Sequence, residues 1–266
     1  MIAEMNRTIS WLNARQHTSG GNMATSLESI VERQVQRWHM ERESLKSDVL
    51  HGHVPKPVVT ISRLLGSGAS EIAKKLACEL DCELVGIRIM DEVARRTNMR
   101  KELVDALDER VRSQIGDWLD WIFRQKTLDT DEHYRHLMEV MNYFMEMGNV
   151  VMLGRGAGFM PKVRPRLDVR IVAPMHKREE RVMQRCKCSR MEAMYTINES
   201  DAHRTQFINF LFGCDWWDDR NYDLVINTAN IRVDGAVAMI RAAWESYAKR
   251  HCTDWSYAAL QPQLQS

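Results

Sequence analysis

The chain has 266 residues, 44% of them hydrophobic and 27% charged. That balance suits one large globular domain or two small ones and excludes disorder as the main state. Its 37 basic and 36 acidic side chains leave a formal charge of +1, which argues against a dedicated nucleic-acid binder. The longest apolar runs, such as Val150–Leu153, fall far short of the roughly 20 residues that span a bilayer.

Residues 1–22 are polar, without periodicity, and are expected to form a disordered extension, with Met23 as a candidate start. The N-terminus has no charged-then-apolar signal pattern, so a cytoplasmic location is expected. Thr25 and Glu28 read as a capping box. Leu27, Ile30, Val31, Val35 and Trp38 then recur at helical spacing, predicting an amphipathic helix over 25–46. Residues 23–53 thus form a helical extension and linker, ahead of a main domain at 54–250 and a loose tail at 251–266.

Strands are predicted at Val58–Ser62, Glu83–Val85, Val150–Leu153, Val169–Ala173 and Leu224–Asn227. Helical patterns cover Glu71–Leu80, Met90–Arg96, 101–124, 131–147, 176–187, 190–212 and 233–249. Unbroken apolar strands alternating with helices indicate an α/β fold, a parallel five-stranded sheet covered on both faces in three layers. Ligands in such sheets sit at the carboxyl ends of the strands, here after Ser62, Leu153 and Ala173.

The first of those loops reads Arg63-Leu64-Leu65-Gly66-Ser67-Gly68-Ala69-Ser70. A strand, a glycine-rich turn and a helix in that order can turn backbone N–H groups inward to hold an anion at the helix N-terminus. The full G-x-x-x-x-G-K-[ST] pattern is absent. With Gly68 as its second glycine, the lysine position is Ala69 and the first glycine position is Arg63, while Ser70 retains a hydroxyl.

Several other features are expected to be structural. The six cysteines contain no C-x-x-C pair and read as free thiols in a reducing compartment rather than zinc ligands. His133 and His136 lack a third ligand, and no metal site is expected. Met138–Met147 reads as core, and Asp215, Asp218 and Asp219 as loop residues. Trp118, Trp121, Phe123, Trp216 and Trp217 are expected in the core, with a homodimer contact as the sharper alternative.

Val58–Arg63 followed by Gly-Ser-Gly and Glu71-Ile72-Ala73 resembles the cytidylate kinase-like family. So, in order, do Leu107–Arg110, Val151–Ala157, Phe212–Trp216 and Tyr222–Thr228. The resemblance covers roughly 54–245. It implies a three-layer P-loop NTPase fold with a helical lid, about 176–204, and transfer of the ATP γ-phosphoryl group to a nucleoside monophosphate such as CMP, with ATP and Mg²⁺ as cofactors. On the same grounds the loop residues Arg63, Gly66, Ser67, Gly68, Ala69 and Ser70 would cradle the donor phosphates. Arg155 would reach the acceptor phosphate, and Arg181, Arg185, Asp201 and Arg204 would belong to a mobile lid whose arginine forks grip phosphate oxygens. The expected partner is a nucleoside monophosphate or related small phosphorylated ligand, with no membrane and no nucleic acid.

The departures bear on activity. The lysine position is Ala69. Ordinary cytidylate kinases carry D-G-R-D where this chain has Leu153-Gly154-Arg155-Gly156, losing both carboxylates. Val85, Gly86 and Ile87 replace a Tyr-Asp-Lys segment, and Asp201-Ala202 replaces an Asp-Arg pair. Lys74 and Lys75 lie one turn into the helix, with Lys74 on the wrong side of the loop for a simple replacement of the lysine. Three alternatives stay open: an active kinase, a pseudo-kinase that binds nucleotide without turnover, and a non-nucleotide protein scaffold.

Overall fold

Five short runs rich in Val, Ile and Leu form the sheet: β1 (Val58–Arg63), β2 (Glu83–Gly86), β3 (Val150–Leu153), β4 (Leu167–Val172) and β5 (Leu224–Asn227). The structure, a computed structural model, describes residues 27–47, 56–107, 109–124, 132–154, 156–161 and 165–260. The expectations for residues 1–22 and for the capping box at Thr25 lie outside them. All five strands run parallel in the order β2-β3-β1-β4-β5. Ile61 stands level with Leu153 on one side and Val169 on the other.

Side chains alternate between the two faces of each strand, which produces two cores. Val59, Ile61, Val151, Leu153, Val169 and Ile171 pack against α2 (Ala69–Glu79) and α9 (Val233–Leu260). Val58, Val85, Val150 and Met152 face the other way, into a core built with α1 (Leu27–Ser47), α3 (Ile87–Arg95), α4 (Thr97–Ala106), α5 (Glu109–Arg124) and α6 (Glu132–Met147). The three-layer α/β architecture follows directly. The remaining helices, α7 (Met175–Cys186) and α8 (Arg190–Phe212), form a hairpin over the carboxyl end of the sheet. Among the described residues no helix is long and apolar enough to cross a membrane.

The single helical pattern expected over 101–124 is two helices. The chain turns extended at Leu107, φ −95° and ψ 151°. Leu103, Leu107, Ile115 and Leu119 all enter the same core, so the apolar period runs through the break and conceals it. The last helix continues to Leu260, through much of the segment expected to be loose. The methionines of α6 are buried, as expected of core. The Trp segment divides, with Leu119, Ile122 and Phe123 buried but Trp121 56% exposed.

Helix α1 is fastened to the body at its apolar and polar faces. Val31 is fully buried, Gln34 Nε2 donates to the Gly148 carbonyl, and Arg33 pairs with Glu83 at 2.6 Å. In the hairpin, Ser189 and Glu192 form a reciprocal capping box that starts α8, and Gly213 in a left-handed conformation ends it.

Candidate functional site

The site begins where β1 runs out. Gly66 has φ +81°, a left-handed value that disfavours any side chain. A Cβ there would also lie 2.7 Å from the Arg178 carbonyl oxygen. At the start of α2, Gly68 has no side-chain cap, so N–H groups of the first helical turn remain for an incoming anion. Ser67 is buried, and its hydroxyl has no partner among the described residues. The loop opens into a cavity of about 910 Å³, large enough for a nucleotide-sized ligand.

Among the described residues, that cavity is lined by Arg63, Arg181, Arg185, Arg204 and Arg232, with His203 and a single carboxylate, Glu71. A strongly cationic pocket in a chain of net charge +1 is a local concentration of charge suited to anionic ligands. Of the sequence-predicted residues, the cavity brings together Arg63, Gly66, Ser67, Gly68, Ala69 and Ser70 with Arg181, Arg185 and Arg204. Arg155 lies outside the described residues. The Arg63 guanidinium occupies the space a Cβ on Gly154 would need, at the end of β3. Lys75 pairs with Asp234 at 2.6 Å and does not line the cavity. Asp215 and Asp218 accept from backbone N–H groups of their own loop.

Asp201 occupies a different position from the one its expected role suggests. It is buried beside the cavity and does not line it. Its Oδ2 accepts from Arg178 Nη2, and its Oδ1 accepts from Arg204 Nη1 at 3.2 Å and, at 3.5 Å, from the Leu65 N–H. Arg178, buried and unremarked in the sequence, also donates Nε to the Leu65 carbonyl at 2.7 Å. The Leu65 side chain packs with Val182, Ala193 and Ile197 of the hairpin. The base of the hairpin is thus joined to the loop through every group of Leu65. Burial pushes Arg204 down to about 10, against the pull of Asp201 and helped by the neighbouring charges of Arg178 and Arg185. Its side chain keeps 26% of its surface, and the guanidinium stays protonated at neutral pH.

Sequence reasoning also missed the walls. Phe159, Phe207 and Trp216 line the cavity. Behind Trp216 lies Arg170, about 5 Å from the ring centres of Trp216, Trp217 and Tyr222, and it donates to the Trp216 carbonyl. Cation–π contact at this distance is favourable where water is excluded. Trp216 Nε1 donates to Ser62 Oγ at 3.0 Å, which ties this wall to β1. Thr228, at the end of β5, accepts from and fixes Arg181. The rule that ligands gather at the carboxyl ends of strands applies to β5 as much as to the three loops singled out.

Comparison with known proteins agrees with this geometry. The family model described as "Cytidylate kinase-like family" matches residues 58–230. The cytidylate kinase of Pyrococcus horikoshii is 31% identical over 189 residues, covering 71% of this chain and 88% of the relative. That of Methanocaldococcus jannaschii is 26% identical over 196 residues, covering 72% and 99%. Among solved structures, an uncharacterized protein from Eubacterium ventriosum shares the fold, with a TM-score of 0.52, 24% identity and coverage of 72% of this chain and 99% of that one. With its glycine loop, parallel sheet and arginine-bearing hairpin matched across most of its length, this chain belongs to the cytidylate kinase-like family.

Proposed function

We propose that the protein transfers the γ-phosphoryl group of ATP to a nucleoside monophosphate such as CMP. An oxygen of the acceptor phosphate attacks the γ-phosphorus as its bond to the β–γ bridging oxygen breaks, leaving ADP. The observation that carries this reading is the uncapped start of α2 opening into a cavity with arginines from both hairpin helices. Catalysis of this kind consists of positioning and charge neutralisation.

In this reading the N–H groups of Gly66, Gly68, Ala69 and Ser70 hold the donor phosphates, that of Ser67 being donated to the Leu64 carbonyl at 3.2 Å, while Arg185 and Arg204 neutralise charge on the transferring group. Arg155 is assigned to the acceptor phosphate from the family motif. Phe159, Phe207 and Trp216 offer apolar surface to a planar base. Mg²⁺ needs few protein ligands when phosphates supply most of its oxygens. The Ser70 hydroxyl, at the rim of the cavity, is suited to hold it.

Ala69 favours a second reading, a protein that binds nucleotide without turning it over, because one electrostatic donor is typically worth ~10²–10³ in rate. Both are tested by incubating the full chain with ATP, Mg²⁺ and each of CMP, UMP, dCMP and AMP and measuring ADP and nucleoside diphosphate. Acceptor-dependent ADP supports transfer. A thermal shift with ATP but no turnover supports the second reading, and neither shift nor turnover overturns both.

A further inference from the structure

The loop after β1 has Ala69 where the phosphate-loop pattern has lysine, yet two guanidinium groups grip it from the side. Arg178 Nε donates to the Leu65 carbonyl at 2.7 Å and Arg181 Nη1 to the next one, Gly66, at 3.2 Å. The two arginines stand three apart on α7 and so share a helix face. Their charge states in the site differ. Arg178 is neutralised by Asp201. Arg181 is held by neutral oxygens: the Gly66 carbonyl, Thr228 Oγ1 at 3.0 Å and the Thr228 carbonyl at 2.9 Å. No carboxylate pairs with it among the described residues.

Thr228 is itself fixed, because its hydroxyl donates to the Ser67 carbonyl at 2.7 Å. The Arg181 guanidinium therefore stands at a set place, with Nη1 3.7 Å from where a Cβ of Gly68 would lie. It borders the uncapped helix start and lines the cavity. A positive charge anchored through three of its five N–H donors but not neutralised, beside the uncapped helix start, is placed to bind the charge of a phosphate chain.

We propose that Arg181, positioned by Thr228, supplies the phosphate-binding charge of this loop in place of the lysine absent at Ala69. The cation reaches the loop from a neighbouring helix and not from the helix the loop begins. The proposal rests on the reading of the cavity as a phosphate site, and it is separable from the reading of the protein as a kinase.

The test is calorimetric titration of the full chain with Mg²⁺–ATP and with tripolyphosphate, which has phosphates but no base. Arg181→Ala is expected to weaken both probes about tenfold or more, the size of a lost hydrogen bond to a charged group. Ala69→Lys added to Arg181→Ala is expected to recover part of that loss. Thr228→Val is expected to weaken binding and Thr228→Ser to restore it. Circular dichroism and the melting curve check folding. Should Arg181→Ala fail to fold, Arg181→Gln, which keeps hydrogen-bond donors but no charge, is expected to show the same loss. Wild-type affinity for tripolyphosphate in a folded Arg181→Ala or Arg181→Gln chain overturns the assignment, as does a wild-type chain that binds neither probe. A wild-type chain that binds tripolyphosphate, with the loss in the Arg181 variants, but phosphorylates no acceptor leaves the assignment standing and removes the kinase reading.

Discussion

Gly66 and Arg178 meet backbone to backbone: a Cβ on Gly66 would stand 2.7 Å from the Arg178 carbonyl oxygen and 2.9 Å from its Cα. Neither neighbour is a flexible side-chain end, and the Gly66 φ of +81° penalises alanine independently. Gly66→Ala is expected to destabilise the fold by about 1–3 kcal/mol or more, the scale of a strained non-glycine residue. It should also abolish ATP binding, because the loop must shift away from α7. A melting curve and a nucleotide titration check both, and unchanged binding would contradict the packing.

Asp201 is expected to behave as a positioning residue rather than a catalytic acid. Removing it leaves Arg178 buried without its counter-charge, so Asp201→Ala should cost about 3–5 kcal/mol. Asp201→Asn, which preserves shape and one acceptor, should cost less. If Asp201 acts by aiming Arg204, the Asn variant lowers kcat more than it raises KM, with no change in the shape of the pH–rate profile. Loss of a titrating limb from that profile would instead mark it as a proton carrier.

A second buried pair lies under the sheet. Arg166 Nε donates to Asp168 Oδ1 at 2.7 Å, and Thr60 Oγ1 donates to the same oxygen at 2.6 Å. Arg166 also reaches the carbonyls of Gly158 and Met160, holding the turn that follows β3. Asp168→Ala is expected to destabilise by about 3–5 kcal/mol. In chemical denaturation, the Arg166→Met and Asp168→Ala costs should be strongly non-additive, since each single change strands the other charge.

The cysteines offer a check at α2. Cys78 is exposed. Burial pushes the Cys82 thiol from its ordinary 9.0 up to about 12; Asp81 and Glu83 add to the rise, while Arg37 opposes it. Because the folded value is raised, the stability this thiol contributes is full below about pH 9 and is lost as pH climbs toward about 12. At pH 8, iodoacetamide should modify Cys78 well before Cys82, as read by peptide mass spectrometry. Equal rates would place Cys82 in solvent.

The sheet was legible because Val58–Ser62, Val150–Leu153 and the other apolar runs are local signals, and the glycine loop sits between a strand and a helix in sequence. The hairpin arginines were legible through their spacing and the family motif. What escaped is non-local. Arg178 and Leu65 are 113 residues apart, and Thr228 and Ser67 are 161 apart. In the sequence Arg178 is one charge among several in a Lys-Arg-Glu-Glu-Arg run, and only the fold shows that it is buried. Asp201 stands out by motif, but its burial between two arginines is set by the fold, and spacing carries no burial. The helix break at Leu107 was hidden because two helices share one core.

Strand β4 runs between β1 and β5, yet Arg166, just before its first residue, and Asp168 and Arg170, at alternate positions on one of its faces, are all buried. The partners of the first two, Thr60 and residues 158–161, precede β4 in the chain. Arg170 depends on the Trp216 carbonyl and on the rings of Trp216, Trp217 and Tyr222, all of which follow it. During synthesis, then, β4 leaves the ribosome some fifty residues before the groups that make its burial tolerable. The sheet gains its last strand only after β5 has emerged, and until Trp216 and Tyr222 are made the Arg170 guanidinium is best served by water, which favours late burial of this face of β4.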